Sequence, residues 1–335
     1  MAASNNEVWQ LGRVVEAEDI ATDIRRIVLE PSLPKKADPG SHIDLLVTIA
    51  GEEQKRSYSV VESSEDGTRL AISVFKVPAS RGGSVYMHTL GPGDTLRLTQ
   101  PLQNFPLRVG AGRYVLLAGG IGITAVMNMA RVLRSVKADY TFVYAARNRA
   151  AMAYLAELQE LHGDRLRVHV DEEDGILDVA GLVSGIGLDT ELYMCGPIRL
   201  MDAVRRAWAE RELDGPNLRY ETFGNSGWYD PEEFLVRIPR LGVQATVGRG
   251  RSMLEALEDA GVDMMFGCRK GECGLCEVRV LGLEGGIDHR DVFYSERQQQ
   301  ATAKMCCCVS RAVTSPTGSA ADSARGPAAV TIDVS

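Results

Sequence analysis

Three cysteines towards the carboxyl-terminal end of the chain have a spacing that suits a metal cluster. Cys268, Cys273 and Cys276 form a C-x4-C-x2-C pattern, and three more thiols follow at residues 306–308. This is the ligand spacing of a plant-type [2Fe–2S] cluster, with a fourth ligand among the downstream thiols. Zinc is the alternative, but zinc sites usually pair two C-x2-C units, so one triad with a distant thiol fits zinc poorly.

Two glycines lie between these thiols and suit a loop that wraps around a cluster. Cluster sulfurs attract backbone N–H groups, and a chain can wrap them closely only where residues lack a Cβ or adopt positive φ. Gly271 and Gly274 provide that freedom. The chain has seven cysteines, six of them from Cys268 onward, and this odd, clustered set indicates a reducing compartment rather than a disulfide framework.

Two short motifs in the amino-terminal part of the chain have side chains that could bind a phosphate and a planar ring. In Arg56-Ser57-Tyr58-Ser59, the arginine fork can hold a phosphate and the tyrosine ring can lie against a heterocycle. In Arg81-Gly82-Gly83-Ser84, a glycine pair and a hydroxyl precede a predicted short helix and present N–H groups to an anion. Either motif alone is also common as surface, core or turn residues, so neither identifies a ligand by itself.

A third motif is a glycine turn that follows the continuous apolar run Tyr114–Ala118, which predicts a strand buried on both faces. The turn, Gly119–Thr124, leads into a helical pattern and so opens a βαβ unit, where Gly120 and Gly122 let the backbone approach a pyrophosphate. It does not match G-x-G-x-x-G, and a plain tight turn is the alternative. Cys195-Gly196-Pro197 also lies at a predicted strand end, where ligands bind in such sheets.

These motifs need three kinds of domain to position them. Short strands separated by turn signals, the last at Thr95–Thr99, predict a closed antiparallel β-barrel. Alternating strands and helices from Tyr114 to Thr222 predict a doubly wound α/β domain. The cysteines follow in a last domain, whose sheet we expect the strand Ala329–Val334 to close. The predicted boundaries are 1–108 for the barrel, 109–224 for the α/β domain, 225–232 for a linker, and 233–335 for the last domain with an inserted loop at 314–327.

The bulk properties exclude several classes of protein. The chain has 335 residues and a net charge of −8, which leaves room for more than one domain and does not suggest a nucleic-acid partner. No apolar run approaches the length of a membrane span, and residues 1–10 lack the basic and apolar regions of a secretory signal. We therefore expect a cytoplasmic protein.

Taken together, the motifs resemble one family, the flavin- and iron–sulfur-containing reductases of the phthalate dioxygenase reductase and vanillate demethylase reductase type. The resemblance extends from about Val8 to Val334 and includes all the motifs above in the family's order. Three further motifs complete the set, namely Glu221-Thr222-Phe223-Gly224, Asp288-His289-Arg290-Asp291 and Cys308-Val309-Ser310-Arg311.

The resemblance implies a multidomain fold with an FMN-binding antiparallel β-barrel, an NAD-binding doubly wound α/β domain and an α+β ferredoxin domain of the β-grasp type. It implies FMN because relatives with this domain order and a short phosphate loop lack an adenosine-binding stretch. The residues implied for the flavin and its phosphate are Arg56, Tyr58, Ser59, Gly83 and Ser84, with Phe223 near the isoalloxazine ring. The residues implied for the nicotinamide nucleotide are Gly120, Gly122, Thr124, Cys195 and Gly196.

The resemblance also makes Cys308 the fourth cluster ligand, beside Cys268, Cys273 and Cys276, while Cys306 remains an alternative. In a strand, residues two apart point to the same face, so we expect Cys306 to share a face with Cys308 and the thiol between them to point away. The Asp-His-Arg-Asp motif is expected to form a structural turn rather than a catalytic group.

The implied function is electron transfer from NADH through FMN and the cluster to a terminal oxygenase. Hydride carries two electrons and a [2Fe–2S] cluster accepts one, so the flavin stands between them. We assign no catalytic acid, base or nucleophile. The resemblance implies a Rieske-type oxygenase as a transient partner, with a cytochrome P450 or di-iron oxygenase as an alternative, and a non-catalytic zinc-binding interaction protein as a rival of another class. NADH is favoured over NADPH, although Arg147 and Arg149 follow a predicted strand end where a 2′-phosphate could bind.

Overall fold

The computed structural model describes residues 7–49, 51–78, 82–223, 232–314 and 327–334. Of the predicted linker, 225–232, only residue 232 is among them. Of the predicted inserted loop, 314–327, only residues 314 and 327 are. Arg81 of the second barrel motif is also outside them. The described chain forms two compact units, one ending at Phe223 and the other beginning after residue 231.

Six antiparallel strands close into a barrel in the first unit, as predicted. They are Trp9–Ala21 (β1), Ile24–Pro31 (β2), Ser41–Ile49 (β3), Glu52–Ser63 (β4), Leu70–Phe75 (β5) and Thr95–Thr99 (β6). Their order is β4-β5-β2-β1-β6-β3, and pairing between β3 and β4 closes the ring. A helix at Gly83–Thr89 (α1) connects β5 to β6, and a short strand at Leu102–Gln103 (β7) pairs with β3.

Strand β3 shows how the sequence builds the barrel wall. Its side chains alternate between the two faces of the sheet, so Ile43, Leu45 and Val47 all enter the barrel core. His42 and Asp44 lie on the opposite face and are buried as well. Strand β3 is therefore buried on both faces of the barrel wall.

The α/β domain has a five-stranded parallel sheet with the order β10-β9-β8-β11-β12. Its strands are Arg113–Gly119 (β8), Tyr140–Ala146 (β9), Leu166–Val170 (β10), Thr190–Cys195 (β11) and Leu218–Glu221 (β12). Its helices are Ile123–Ser135 (α2), Leu155–His162 (α3), Asp171–Asp174 (α4), Val179–Ser184 (α5) and Ile198–Glu210 (α6). Chain order runs outward in both directions from β8, so the gap between β8 and β11 is the topological switch point at which such sheets bind ligands.

The α3 helix is shorter than the sequence predicts. The helical pattern extends from Ala150 to Leu161, but the structure has a single 3-10 turn at Arg149–Ala151 and begins α3 only at Leu155. Tyr154, just before the helix, has a φ of 64°, which interrupts a right-handed helix. The Tyr154 hydroxyl lies 2.5 Å from the Ser73 hydroxyl on β5, so this residue contacts the barrel instead.

The barrel and the α/β domain share one hydrophobic core. Successive residues of β4 point to opposite sides, so Val60 packs inside the barrel and Val61 packs with the residues of α2. The Asn128 side chain on α2 donates a hydrogen bond to the Val60 carbonyl at 3.1 Å, and the Thr22 N–H donates one to the Ala150 carbonyl at 2.8 Å. These contacts hold β4 and the end of β1 against the α/β domain.

The second unit has a five-stranded mixed sheet of the β-grasp type, with the order β14-β13-β19-β15-β17. The five strands of this sheet are Phe234–Ile238 (β13), Val243–Val247 (β14), Glu277–Glu284 (β15), Lys304–Cys306 (β17) and Ala329–Asp333 (β19). Two further strands, Gly286–Asp288 (β16) and Arg311–Val313 (β18), pair with each other in a separate sheet. The helices of this unit are Met253–Asp259 (α7) and Glu296–Gln300 (α8). Strand β19 lies in the middle, parallel to β13 and antiparallel to β15, which confirms that the final strand closes this sheet.

None of the helices that the structure describes is long and apolar enough to span a membrane.

Candidate functional site

The cysteine triad lies in a loop whose backbone N–H groups point at sulfur. The Cys268 sulfur accepts N–H groups from Lys270 at 3.4 Å, Glu272 at 3.3 Å and Cys273 at 3.4 Å, and the Cys268 N–H donates to the Cys273 sulfur at 3.5 Å. Hydrogen bonds from the Cys273 and Cys308 side chains, and then those from the backbone, lower the pKa of the Cys268 thiol to about 2. At Cys268 this environment favours the thiolate, which is the form that binds iron, whereas interaction with Cys268 raises the pKa of the Cys273 thiol.

Gly271 and Gly274 are needed for their conformation and for the space they leave. Their φ angles are 75° and 71°, in the left-handed region that favours glycine. A Cβ on Gly271 would lie 2.6 Å from Val309 Cγ2 and 2.8 Å from Asp291 Cα, and one on Gly274 would collide with the Phe293 ring. The loop is thus pressed against the segment that follows the Asp-His-Arg-Asp motif, a close approach that only glycine permits.

The Asp-His-Arg-Asp turn supports the cluster loop from behind. Arg290 and Asp288 form a buried ion pair at 2.7 Å, and Asp291 accepts hydrogen bonds from the Ser310 hydroxyl and the Tyr294 N–H, each at 3.0 Å. The next residue, at position 292, donates its N–H to the Gly271 carbonyl at 3.0 Å. Buried charges held by this many partners fix the geometry of the turn.

The three downstream thiols differ in which members of the triad they interact with. Interaction with Cys268 and then with Cys276 raises the pKa of the Cys308 thiol, whereas interaction with Cys276 raises the pKa of the Cys306 and Cys307 thiols. Strand alternation, on which the expected orientations of the three thiols depended, does not extend to this segment, because β17 ends at Cys306 and residues 307–309 form a turn. The expected orientation of Cys307 stays a prediction.

The arrangement of thiols suits a two-iron cluster better than a single ion. Each iron of a plant-type cluster takes two cysteines, so the four sulfurs do not need to surround one point. Within the part of the chain that the structure describes, no three His, Cys, Asp or Glu side chains surround a point as one metal ion requires. The sulfur contacts, the N–H groups and the glycine cradle together fit a [2Fe–2S] group.

The flavin candidates on β4 and α1 meet at Arg56. Its Nε lies 2.6 Å from the position that a Cβ on Gly83 would occupy, and its guanidinium donates to the Lys55 carbonyl at 2.8 Å and to the Gln54 side chain at 2.6 Å. Burial lowers the pKa of Arg56. No carboxylate among the described residues forms a salt bridge with it. A partly buried cation without a carboxylate, beside a residue that has no side chain, is suited to a phosphate.

The other two flavin candidates on this side have different neighbours. Burial raises the pKa of Tyr58 to about 12, with Arg56 opposing the shift, so the phenol stays neutral near pH 7. Ser84 does not contact Arg56 in any described hydrogen bond, and its hydroxyl accepts the Val77 N–H at 3.1 Å. The structure therefore brings Arg56 and Gly83 together directly and leaves Ser84 bonded to the preceding loop.

Strand β4, which carries Tyr58, contacts the carboxyl edge of the parallel sheet through the next residue, Ser59. The Ser59 hydroxyl lies 3.5 Å from Oε2 of Glu221, the last residue of β12. Glu221 is 2% exposed, whereas Phe223, two residues on, is 46% exposed. The sequence motif containing both residues led us to single out Phe223 alone. A carboxylate at the carboxyl end of a parallel strand was the signal that could have identified Glu221.

The nucleotide candidates meet at the switch point between β8 and β11. Gly120 has a φ of 54°, and a Cβ on Gly122 would collide with the Cys195 carbonyl. A Cβ on Gly196 would lie 3.0 Å from the Cα of Gly119, so the two strand ends approach closely. The Thr124 hydroxyl donates to the Ile121 carbonyl at 2.9 Å at the start of α2. The five candidates thus lie together at the switch point, with Gly120 and Gly196 half-buried and Gly122, Thr124 and Cys195 buried. A pyrophosphate at this end of α2 would meet the half-buried glycines first.

The two arginines beyond β9 lie beside acidic residues. Arg149 forms two hydrogen bonds of 2.7 Å with the two carboxylate oxygens of Glu173, and Asn148 donates to Glu172 at 3.4 Å. Arg147 is exposed, and its carbonyl accepts the Glu172 N–H at 3.1 Å. All four residues of α4, Asp171–Asp174, are acidic. Two arginines and four carboxylates leave this corner with a net charge of 2 − 4 = −2.

Three segments of the chain match family models of known domains. Residues 11–106 match the oxidoreductase FAD-binding domain. Residues 99–218 match the N-terminal domain of proteins like dimethylamine monooxygenase subunit DmmA. Residues 236–313 match the 2Fe-2S iron-sulfur cluster binding domain. With the barrel, the parallel sheet and the thiol loop described above, these matches define a flavin and iron–sulfur oxidoreductase.

The chain is also similar to characterised proteins over most of its length. It is 36% identical over 313 residues to tetrachlorobenzoquinone reductase of Sphingobium chlorophenolicum, which covers 89% of this chain and 94% of the relative. It is 36% identical over 283 residues to the heme-dependent oxidative N-demethylase beta subunit of Ectopseudomonas mendocina, covering 83% and 87%. The chain belongs to the family of oxygenase reductases of the phthalate dioxygenase reductase type, as its motifs indicated.

Two solved structures share this fold, and in one of them it forms only part of a longer chain. A phthalate dioxygenase reductase, described as a modular structure for electron transfer from pyridine nucleotides to [2Fe-2S], has a TM-score of 0.72 and 27% identity over 98% of both chains. Full-length CYP116B46 from Tepidiphilus thermophilus has a TM-score of 0.67 and 31% identity, covering 98% of this chain. This chain spans only 42% of the length of that protein.

Proposed function

We propose that this protein oxidises NADH at an FMN bound on the barrel and passes the electrons singly, through a [2Fe–2S] cluster held by Cys268, Cys273, Cys276 and Cys308, to a Rieske-type terminal oxygenase. The observation that carries the proposal is the contact between Ser59 and Glu221, which joins the flavin candidate strand to the carboxyl edge of the nucleotide sheet. Bound flavin supplies the conversion from a two-electron donor to a one-electron acceptor.

The protein contributes position and charge rather than acid–base groups. Arg56 would grip the flavin phosphate, Tyr58 and Ser59 would place the ring, and the glycine turn would bind the pyrophosphate of the nucleotide. Holding both reactants in one crevice makes hydride transfer effectively intramolecular. The exposed Phe223 ring would stand near the isoalloxazine ring.

FMN is supported by the small size of the phosphate site. Only residues 76–82 separate β5 from α1, and Gly83, the first residue of α1, lies beside the Arg56 guanidinium. One guanidinium suits one phosphate monoester, and this segment leaves little chain to hold an adenosine. Release of the cofactor by heat and chromatography against FMN and FAD standards tests this point, and recovery of FAD would contradict it.

NADH is supported by the charge beyond β9. The Arg149 guanidinium is already engaged by Glu173, and the net charge of −2 at this corner opposes a 2′-phosphate. Comparison of turnover at equal concentrations of NADH and NADPH tests the preference. An equal rate with the two donors would contradict it.

The Rieske type of partner is supported by similarity to phthalate dioxygenase reductase along the whole of both chains. A heme enzyme as partner is the second candidate, since one relative is a subunit of a heme-dependent N-demethylase and one similar structure is the P450 protein CYP116B46. Reconstitution with a Rieske oxygenase and with a P450, each scored by NADH-dependent product formation, separates the two candidates. A cytoplasmic location is part of the proposal and is supported by the seven free thiols.

The central test is an anaerobic titration with NADH, followed by visible absorbance and electron paramagnetic resonance. We expect the yellow flavin absorbance to bleach and a paramagnetic iron signal to rise in the same molecule. A colourless protein that contains zinc and lacks acid-labile sulfide would refute the proposal and favour the zinc-binding rival.

A further inference from the structure

The acidic segment after β10 is a single helical turn that depends on its neighbours. Helix α4 has four residues, Asp171–Asp174, and each of them carries a carboxylate. A helix of one turn is unstable by itself, because its first hydrogen bonds fix several residues for little gain. The carboxylates of Asp171 and Asp174 are neighbours on the helix surface and repel each other. Contacts from outside the turn must therefore hold α4 in its position.

On one side, α4 is bonded to the turn that follows β9. The Glu172 N–H donates to the Arg147 carbonyl at 3.1 Å. The Glu173 carboxylate accepts two hydrogen bonds of 2.7 Å from the Arg149 guanidinium, and the two side chains are 46% and 53% exposed. Exposed ion pairs contribute little stability, so this pair cannot fix α4 without a second anchor.

On the other side, His169 holds α4 against β10. Its Nε2 lies 2.8 Å from the carbonyl of Gly175, the residue that ends the turn, and 3.4 Å from Oδ1 of Asp171. A carbonyl only accepts, so Nε2 carries the proton and donates a hydrogen bond to Gly175. The next residue, Val170, donates its N–H to Oδ2 of Asp174 at 3.0 Å. The His169 side chain is 17% exposed, so water competes with this anchor less than with the ion pair.

The position of α4 bears on which nucleotide the proposed site accepts. That site lies at the carboxyl edge of the parallel sheet, and Arg149 follows the end of β9 at this edge. While Glu173 occupies the Arg149 guanidinium, a 2′-phosphate must displace a carboxylate that repels it. A loosened α4 would release the guanidinium, which is well suited to bind a phosphate. Whatever fixes α4 therefore disfavours a nucleotide that carries a 2′-phosphate.

We infer that His169 is a positioning residue for nucleotide selection. By its bond to Gly175 it fixes α4, so that Glu173 stays on Arg149 and binding of a nucleotide with a 2′-phosphate is weakened. The inference rests on the proposed function, from which it takes the nucleotide site and the preference for NADH. His169 acts only through the position of α4, and no covalent bond is made or broken at the imidazole.

The test measures the binding of two probes to the full-length holoprotein by calorimetry, without turnover. Adenosine 2′,5′-bisphosphate and adenosine 5′-monophosphate differ only in the 2′-phosphate. The Kd of the monophosphate divided by that of the bisphosphate therefore isolates this group. In His169→Leu this ratio should rise about two- to fivefold, the range expected for loss of an exposed ion pair. His169→Gln keeps a donor that can reach the Gly175 carbonyl, and it should restore the wild-type ratio.

A double-mutant cycle shows whether His169 acts through the ion pair. Glu173→Gln already releases Arg149, so adding His169→Leu to it should raise the ratio no further. Two effects that multiply independently would contradict the inference.

His88 provides the matched control for loss of an imidazole. Its Nε2 also contacts a carbonyl, that of Val74 at 2.9 Å, but this contact lies in the barrel, between α1 and β5. His88→Leu should leave the ratio of the two Kd values at the wild-type value. A rise in this control as large as that in His169→Leu would contradict the inference.

The remaining outcomes separate the inference from the proposed function. An unchanged ratio in folded His169→Leu would overturn the inference, and so would a ratio in His169→Gln that stays as high as in the leucine variant. If His169→Leu does not fold, His169→Ser, which is too short to reach the carbonyl, replaces it in every comparison. Failure of the wild-type protein to bind either probe would refute the proposed nucleotide site and the inference with it. The expected ratios in a protein that lacks flavin and iron would support the inference while refuting the proposed electron path.

Discussion

The Ser59 hydroxyl lies 3.5 Å from Oε2 of Glu221, although 162 positions separate the two residues in the chain. Ser59 belongs to the strand that carries the flavin candidates, and Glu221 ends the last strand of the parallel sheet. Both residues are buried, so the hydroxyl helps to satisfy a carboxylate that has been removed from water. The contact sets the distance between the two proposed binding regions within one compact unit.

The first prediction concerns the phosphate grip of Arg56. Arg56→Ala should weaken FMN binding by about 10- to 100-fold, because charge-assisted hydrogen bonds to a phosphate are lost. Riboflavin, which has no phosphate, should bind the variant and the wild type almost equally. Fluorescence titration of the apoprotein with each flavin measures both affinities.

Arg69 offers the control for this experiment, since its side chain is 58% exposed and pairs with Glu16 on the barrel surface. Arg69→Ala should bind FMN as the wild type does. An equal loss of FMN and riboflavin binding in Arg56→Ala would show that Arg56 supports the barrel rather than gripping the phosphate.

The second prediction concerns the cradle of the cluster loop. Gly274→Ala combines a positive φ with a collision against the Phe293 ring, so the purified variant should contain a minor fraction of the wild-type iron and sulfide. Gly261→Ala has a similar φ of 77° but open space around the added Cβ, and it should retain the cluster. Iron and sulfide analysis of both proteins checks the difference, and equal cluster content would exclude the packing of Phe293 as the cause.

The third prediction concerns the choice of nucleotide. Glu173→Gln releases the Arg149 guanidinium, so the ratio of kcat/KM for NADPH to that for NADH should rise several-fold, at most about tenfold. Glu172→Gln removes the same charge without touching Arg149, which makes it the matched control, and its ratio should change less. Steady-state reduction of an artificial acceptor measures both ratios. A larger effect of the control would mean that net charge, and not the arginine, determines the preference.

The fourth prediction concerns acid stability. Burial, with help from Arg134, Arg131 and Arg165, lowers the pKa of His162 from its ordinary value of 6.5 to about 4. The unfolded state therefore binds more protons than the folded state between pH 4 and 6.5, so stability should fall as the pH drops through this window. Across this window the free energy of unfolding should fall by about 1–2 kcal/mol because of His162. This is less than the full pKa shift would give, because solvent screens the arginines.

His162→Gln removes the titrating group and keeps an acceptor for the Tyr140 hydroxyl, which lies 2.7 Å from His162 Nδ1. Melting curves at pH 7.5 and pH 5, followed by tryptophan fluorescence, should show a smaller difference for the variant than for the wild type. An identical pH difference in the two proteins would rule out His162 as the source.

The elements that the sequence predicted well are those whose signal is local. The apolar run before Gly119 reflects burial of neighbouring residues, and this strand forms as predicted. The positive φ of Gly271 and Gly274 follows from the short spacing of the thiols around them. In these cases the physical cause lies within a few residues of its effect.

The features that the sequence did not reveal depend on contacts between distant segments. The burial of Glu221 depends on β4, and the left-handed Tyr154 is bonded to Ser73 across 81 positions. Strand periodicity does not extend to Cys307, because a turn begins after Cys306. Local propensity depends only on neighbouring residues, so it does not predict such partners. In these places tertiary contacts determined the conformation. The domain boundaries and the roles of the site residues stay predictions.

Strand β19 occupies the middle of the ferredoxin sheet, although it is the last strand of the described chain. Its neighbours β13 and β15 are synthesised long before it, and each lacks one of its two hydrogen-bonding partners until residue 333 has left the ribosome. The barrel and the nucleotide sheet can fold during translation, since domains generally fold in the order in which they emerge. Cluster assembly must therefore wait for nearly the whole polypeptide, and cells short of iron would accumulate molecules that carry flavin but cannot relay its electrons.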